Sequence, residues 1–450
     1  MSHTSSPTSV TKPYNIPGQD DVESQRESLA SPQSWPDSTK WPIVGLAAYC
    51  ECLTFLVSMM LAPSVPQVLQ TFRPSGGGEA LGSFCVTVYI LGFVLGPIAL
   101  APLTDLYGRL GIYRLYITLY LCWTVACARS SSLETLIAFR FLAGCFGGAP
   151  MAIGRAVVAD LYAPDSRPGP MAFYSFGTIM GPTLGPVLGG IINGNLGWRW
   201  VFWVAAMLAT LAAGGLIFFL PETHHPTIEA RNGTERRENM GRLSWLRRWK
   251  SLSIFKKLGG TLYRACFLPL RIACHLNCLI PLLIILIFNG TVNMILSSLG
   301  TVYQMRYQFL PTTAGLAYLG IGLGGITALI ISKTLMGIVS KSFPEPPGRK
   351  HNSLMLVASS ALILPFLSIL LFIVESVPGF AASAGAAFTV ASSMGGAVIP
   401  LSTFPLYTKI GFGWGNSVIA LVELLLGAIS ITLYVVARKR GSSWPITVSL

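Results

Sequence analysis

The chain has 450 residues, of which 52% are hydrophobic and only 11% charged. Soluble domains carry about 25% charged residues. With a mean hydropathy of +0.60, the composition excludes an ordinary soluble enzyme, a disordered regulator and a fibrous protein. The net charge of +13 sits between apolar runs instead of on a soluble face, which points to a membrane surface and away from nucleic acid.

Residues 1–40 are rich in Ser, Pro and Thr and cannot bury enough apolar surface to offset ordering, so a disordered cytoplasmic N-terminus is expected. The segment lacks a basic stretch followed by an apolar one, so the first apolar helix acts as an uncleaved insertion signal. Apolar runs long enough to cross a bilayer follow at 43–66, 80–101, 112–129, 134–158, 170–192, 199–220, 279–302, 314–337, 353–375, 381–407 and 415–437. They define an all-α polytopic membrane protein of about eleven spans. Its parts are an N-terminal transmembrane half (41–220), a basic cytoplasmic loop (221–277), a C-terminal half (278–440) and a tail (441–450).

Lys and Arg set the orientation. The 221–277 loop holds eleven of them, whereas the loops on the opposite side hold one each, Arg73, Arg129, Arg199 and Arg306. The long loop and the N-terminus are therefore expected in the cytoplasm. Within that loop, residues 244–257 read as a short interfacial amphipathic helix or as a solvated basic stretch. Two N-glycosylation patterns, at Asn232 and Asn289, are expected to be unused, one being cytoplasmic and the other inside a span. Most of the nine cysteines lie in apolar runs. Cys50 and Cys52 form a CxC without a neighbouring His, so buried small hydrophobes are expected, not a metal site.

After the second span the chain reads Ala101-Pro102-Leu103-Thr104-Asp105-Leu106-Tyr107-Gly108-Arg109. This resembles the major facilitator superfamily, and within it the fungal drug:proton antiporter branch, whose loop typically reads PLSDLYGRR. The resemblance implies a gating latch built on Asp105, Gly108 and Arg109, a pairing at the membrane interface that breaks when the two halves rock. Leu110 stands where the family has a second basic residue, which implies a weaker latch.

The fourth span carries Arg140-Phe141-Leu142-Ala143-Gly144-Cys145, similar to the family's second motif, whose Arg is linked to proton transfer. Arg140 could instead snorkel to the interface, and Arg155, further along the span, reads as a snorkelling anchor. The fifth span resembles the antiporter motif through Gly177, Gly181, Pro182, Gly185, Gly189 and Gly190. Glycines four residues apart share one helix face and let a neighbour approach closely. Gly197-Trp198-Arg199-Trp200 and Leu220-Pro221-Glu222-Thr223 resemble the branch's start and end of the sixth span, with aromatics suited to an interfacial belt.

Two carboxylates lie inside spans, Glu51 in the first and Glu423 in the last. An isolated buried carboxylate is costly when charged, so it is protonated or paired. Either is a candidate proton carrier, and Glu51 is preferred because the first span lines the cavity in this fold. The alternative is a packing contact. Asn289 and Asn293, four apart on one face, are candidates for a polar pocket wall or for interhelical hydrogen bonding.

The C-terminal half departs from the family pattern. Only Ser376-Val377-Pro378-Gly379-Phe380 separates the runs that resemble the ninth and eleventh spans, so the tenth is missing from the major facilitator fold of two six-helix halves. Arg438-Lys439-Arg440 prefers the cytoplasm, which conflicts with an odd span count.

The resemblance implies export of a small, largely apolar compound, such as a fungal secondary metabolite, toxin or drug, driven by a proton gradient. It implies no cofactor and no metal. The partners are the substrate and the lipid bilayer, not nucleic acid, and the chain is expected to be monomeric in the plasma membrane, with the vacuolar membrane as alternative. Rival readings are a polyamine:proton antiporter and a non-transporting remnant. A membrane enzyme is disfavoured because no HExxH, paired acidic metal motif or GxSxG occurs.

Overall fold

The computed structural model describes residues 32–72, 79–163, 166–223, 274, 276–320, 322–324 and 381–439. It is all-helical over these residues. We number the helices α1 (Asp37–Met60), α2 (Val65–Phe72), α3 (Glu79–Tyr107), α4 (Arg109–Ala128), α5 (Leu133–Gly147), α6 (Ala149–Leu161), α7 (Pro168–Leu196), α8 (Trp198–Phe218), α9 (Leu276–Tyr307), α10 (Pro311–Leu316), α11 (Ala381–Val398) and α12 (Thr403–Lys439). Among the described residues, six helical stretches are long and apolar enough to cross a membrane. A seventh counts if 387–402 and 405–411, bent by 48° against each other, are one span.

The spans outrun their apolar stretches. The first runs from Asp37 to Phe72 as α1, a 3-10 turn and α2, and Asp37 in the first turn complements the dipole at its start. The stretch expected as a loop after the second span is helical through Tyr107, and the chain breaks only at Gly108. A capping box between Ser132 and Thr135 starts α5. The fourth span divides at Gly148 into α5 and α6.

Single glycines make the sharpest connections. Gly108 (φ 87°, ψ 164°) and Gly197 (φ 91°, ψ 163°) each join two helices with one residue, and Gly411 (φ 79°, ψ 164°) kinks α12 in the same conformation. That region of backbone space is open almost only to glycine.

Helices α1–α8 form the first half, with α1 against α7, α3 against α5 and α4 against α8. The main buried cluster lies here. In the second half α9 packs on α11. Two seams join the halves, α3 with α11 and α7 with α10. The loop at 224–273 and residues 325–380 lie outside the described residues, and with them the amphipathic stretch, Asn232 and the gap expected at the tenth span.

Candidate functional site

Glu51 is buried in α1 at 3% exposure. Its Oε2 accepts a hydrogen bond from the Tyr174 hydroxyl of α7 at 2.8 Å, and its Oε1 faces the Thr178 hydroxyl at 3.4 Å. The Tyr174 oxygen is also 2.8 Å from the Pro150 carbonyl of α6. One phenolic proton cannot serve both acceptors, so Tyr174 donates to one of them at a time. Arg155 of α6 lies within electrostatic reach of Glu51 and Tyr174 without closing an ion pair. Its Nε turns back to the Met151 carbonyl of its own helix. Arg155, expected as a snorkelling anchor, is half-buried and held by its own helix, with Glu51 within electrostatic reach. An intramembrane cation is itself a functional signal, but the sequence does not say that Arg155 and Glu51 meet.

Arg140 does not snorkel. It is 1% exposed, and its Nη2 donates to the Ser58 and Val86 carbonyls at 3.0 and 3.2 Å. The guanidinium stands over the rings of Tyr89 and Phe202, at 5.2 and 5.8 Å from their centroids. Burying a cation costs several kcal/mol. Carbonyl acceptors and ring faces offset that cost at once, because α1, α3 and α8 converge on this point of α5.

At one end of the first half, Arg109 is a junction. Its Nε donates to Asp160 Oδ2 at 3.2 Å, its Nη1 to Thr104 Oγ1 at 2.6 Å and its backbone N–H to Glu222 Oε1 at 2.8 Å. Glu222 Oε2 also accepts from the Leu110 N–H at 3.2 Å. The carboxylate of the Leu220-Pro221-Glu222-Thr223 segment therefore caps the start of α4, where orphan N–H groups and the dipole favour an anion. Asp160 belongs to the same half, so this ion pair does not span the two halves. Asp105 lies in the last turn of α3 and Glu423 in α12; their side chains lie outside the described residues.

The antiporter-motif glycines of α7 face α1. A methyl group at Gly177 or Gly181 would meet the backbone of Ala48, Cys52 or Leu56, and one at Gly185 or Gly189 the carbonyls of Leu56 and Met60. Pro182 and Pro186 sit inside α7 without ending it. Gly190, one residue on, faces the other half: a methyl group there would meet the Pro311 carbonyl and, at 3.1 Å, the Gly315 Cα. At the same end of the bundle, Gln304 donates to the Pro63 carbonyl at 2.7 Å and Thr87 to the Ala397 carbonyl at 3.2 Å. Among the described residues, these hydrogen bonds between the halves lie toward the end marked by Phe72, Leu196 and Tyr307.

Asn293 donates to the Asn289 carbonyl at 2.8 Å, and Asn289 donates to the Ser392 carbonyl of α11 at 2.7 Å. The pair thus fastens α9 to α11, and no hydrogen bond joins it to Glu51. Trp198, read as part of a belt, is 4% exposed. Its backbone and indole N–H groups donate to Gln67 and Thr71, locking α8 to α2.

This architecture has a match among known proteins. The Major Facilitator Superfamily profile matches residues 47–403. The chain belongs to the major facilitator superfamily. It is 32% identical to the efflux pump radE of Floropilus chiversii, over 92% of this chain and 83% of that one. It is 31% identical to the MFS-type transporter phm3 of Pyrenochaetopsis sp, over 93% of each. Among solved structures, a peptide transporter POT in complex with sulfate superposes with a TM-score of 0.63 at 15% identity, covering 91% of this chain and 97% of that one. A D-xylose-proton symporter gives 0.59 at 14% identity, covering 91% and 98%. These likenesses establish the fold. This superfamily member is a membrane transporter, not an enzyme.

Proposed function

We propose that the chain is a proton-coupled exporter of a small, largely apolar compound, such as a fungal secondary metabolite, toxin or drug. Glu51 is its proton carrier, and the proton gradient takes the place of any cofactor. The observation that carries this reading is the setting of Glu51: a carboxylate enclosed between α1, α6 and α7, with a switchable donor and a cation nearby. When Glu51 is ionised, Tyr174 donates to it and Arg155 offsets the charge. When Glu51 is protonated, its own O–H donates to Tyr174, and Tyr174 turns to the Pro150 carbonyl. Both protonation states are then hydrogen-bonded, which is what a site that cycles its proton requires. The efflux pump among the relatives supports the direction of transport.

Vesicles containing the purified protein test the reading. An inward proton gradient should drive apolar compounds outward, and a protonophore should abolish that movement. Movement of spermidine alone would replace it with polyamine antiport, and movement of neither with a non-transporting relative. The excess of Lys and Arg in 221–277 supports a cytoplasmic placement of that loop, and with it of the end opposite Phe72, Leu196 and Tyr307. The protein is then closed on its outer side, in the plasma membrane.

A further inference from the structure

At the end of the first half that carries Arg109, the chain ahead of α1 folds back onto the bundle. Pro32–Ser34 forms a 3-10 turn against α6, with Pro32 buried. The Trp35 N–H closes this turn on the Pro32 carbonyl at 3.3 Å, and Trp35 packs on the main buried cluster. Pro36, extended at φ −65° and ψ 149°, then leads into α1. Lys40, in the first turns of α1, is only 8% exposed. A lysine near the end of a span ordinarily stretches its stem to keep the ammonium in water, and a buried one is rare unless paired. Here the Nζ donates to the Gln33 carbonyl at 2.8 Å and stands 5.1 Å from the centroid of the Tyr162 ring. Among the described residues, no carboxylate forms an ion pair with it. The ammonium therefore joins the 3-10 turn to Tyr162.

Tyr162 is where α6 ends. Its N–H donates to the Val158 carbonyl at 3.2 Å. Its own carbonyl accepts from Nε and Nη2 of Arg167 at 3.3 and 3.1 Å, and the same Nη2 reaches the Ala159 carbonyl at 3.0 Å. Two residues back, Asp160 accepts from Arg109 Nε at 3.2 Å. Trp41, the residue after Lys40, meets Phe173 of α7 edge-on with ring centroids 5.7 Å apart. The start of α1 is thus held between the end of α6 and the start of α7. We propose that residues 32–36 are a strap, fastened by Lys40, that holds the end of α6 and thereby sets Asp160 against Arg109. Lys40 is a positioning residue, acting on the Arg109 junction through Tyr162. Its burial makes the contact strong, because a cation over a ring and on a carbonyl gains most where water is excluded. The proposal rests on the fold and on these side chains, not on the substrate or the proton coupling.

Amide exchange of the purified full-length protein, read by mass spectrometry, tests it. Lys40→Met keeps most of the stem and removes the charge and the donor. Exchange should quicken about tenfold, the scale of one desolvated cation–π contact with its hydrogen bond. The increase should appear at Trp35, at Tyr162 and at residues 109–110, where α4 begins. Lys40→Arg keeps a cation that can stack on the ring and donate to the carbonyl, so it should restore the slow rates; rates that stay fast would count against the proposal. Pro32→Gly loosens the strap from its other end with Lys40 intact, and it should quicken exchange at the same three places. Faster exchange at Trp35 alone, in either variant, would mean that the strap covers α6 without positioning it and would overturn the proposal. So would an equal rise throughout α9 of the other half, which marks a general loss of stability.

Discussion

Arg140 and Glu51 illustrate how differently two buried charges are held. Arg140 is fixed by two backbone carbonyls and two ring faces, with no carboxylate hydrogen-bonded to it. Replacing it with Ala removes charge-assisted bonds worth about 1.5–3 kcal/mol each, and the expected result is a clear drop in thermal stability, read by a melting assay in detergent. Glu51 has partners for either protonation state, so Glu51→Gln keeps the packing and removes the titration. Proton-driven efflux should fall on the order of 100-fold, the scale of a positioned proton-transfer group, while exchange of bound substrate between vesicle compartments persists. An unchanged pH dependence would move the proton site away from Glu51. Both residues are visible in the sequence as ions inside apolar runs. Their partners are not, because Tyr174, Arg155, Ser58 and Val86 come from other helices and carry no local signal of where they point.

At the scale of elements, connections and caps decide where helices turn. Gly197 turns α7 into α8 in a backbone conformation closed to other residues, yet nothing lies within 4 Å of the position a Cβ would take. Gly197→Ala therefore isolates backbone strain from steric clash. It should cost about 1–3 kcal/mol, measurable as a lowered unfolding midpoint with transport preserved in the folded fraction. Glu222 works by charge: its two oxygens hold the Arg109 and Leu110 N–H groups. Glu222→Gln keeps an acceptor but loses the favourable pairing with the helix dipole, about 0.3–1 kcal/mol, and should loosen the start of α4, seen as faster amide exchange at residues 109–111. Hydropathy locates the spans but ends them early, since it is blind to polar turns such as Asp105-Leu106-Tyr107 that continue a helix beyond the apolar run. The motif glycines are legible as a close-packing face. That Glu222 belongs to the start of α4 is not, because the cap comes from far along the chain.

At the scale of the whole molecule, α7 presents two faces with different duties. Gly177, Gly181, Gly185 and Gly189 bind it to α1 within one half, and Gly190 sets it against Pro311 and Gly315 of the other. The sequence shows the glycine run but cannot divide it between the two faces, since that division follows from where α10 crosses. A transporter that works by rocking must break the second contact and keep the first. Gly190→Val should therefore leave the first half folded while wedging α7 from α10, shifting the population toward the state open at this end. Thr312, which lies against Gly194 in the same seam, reports the change when replaced by Cys. Its reaction with an impermeant maleimide in intact cells should quicken about tenfold, equivalent to about 1.4 kcal/mol of population shift, and substrate turnover should slow because the seam no longer closes. Gly189→Val, one residue away, is the contrast: it drives a side chain into the Met60 carbonyl of the same half, so it should lower the melting temperature. Equal maleimide rates in Gly190→Val and the unsubstituted seam would mean that α7 and α10 do not part during the cycle.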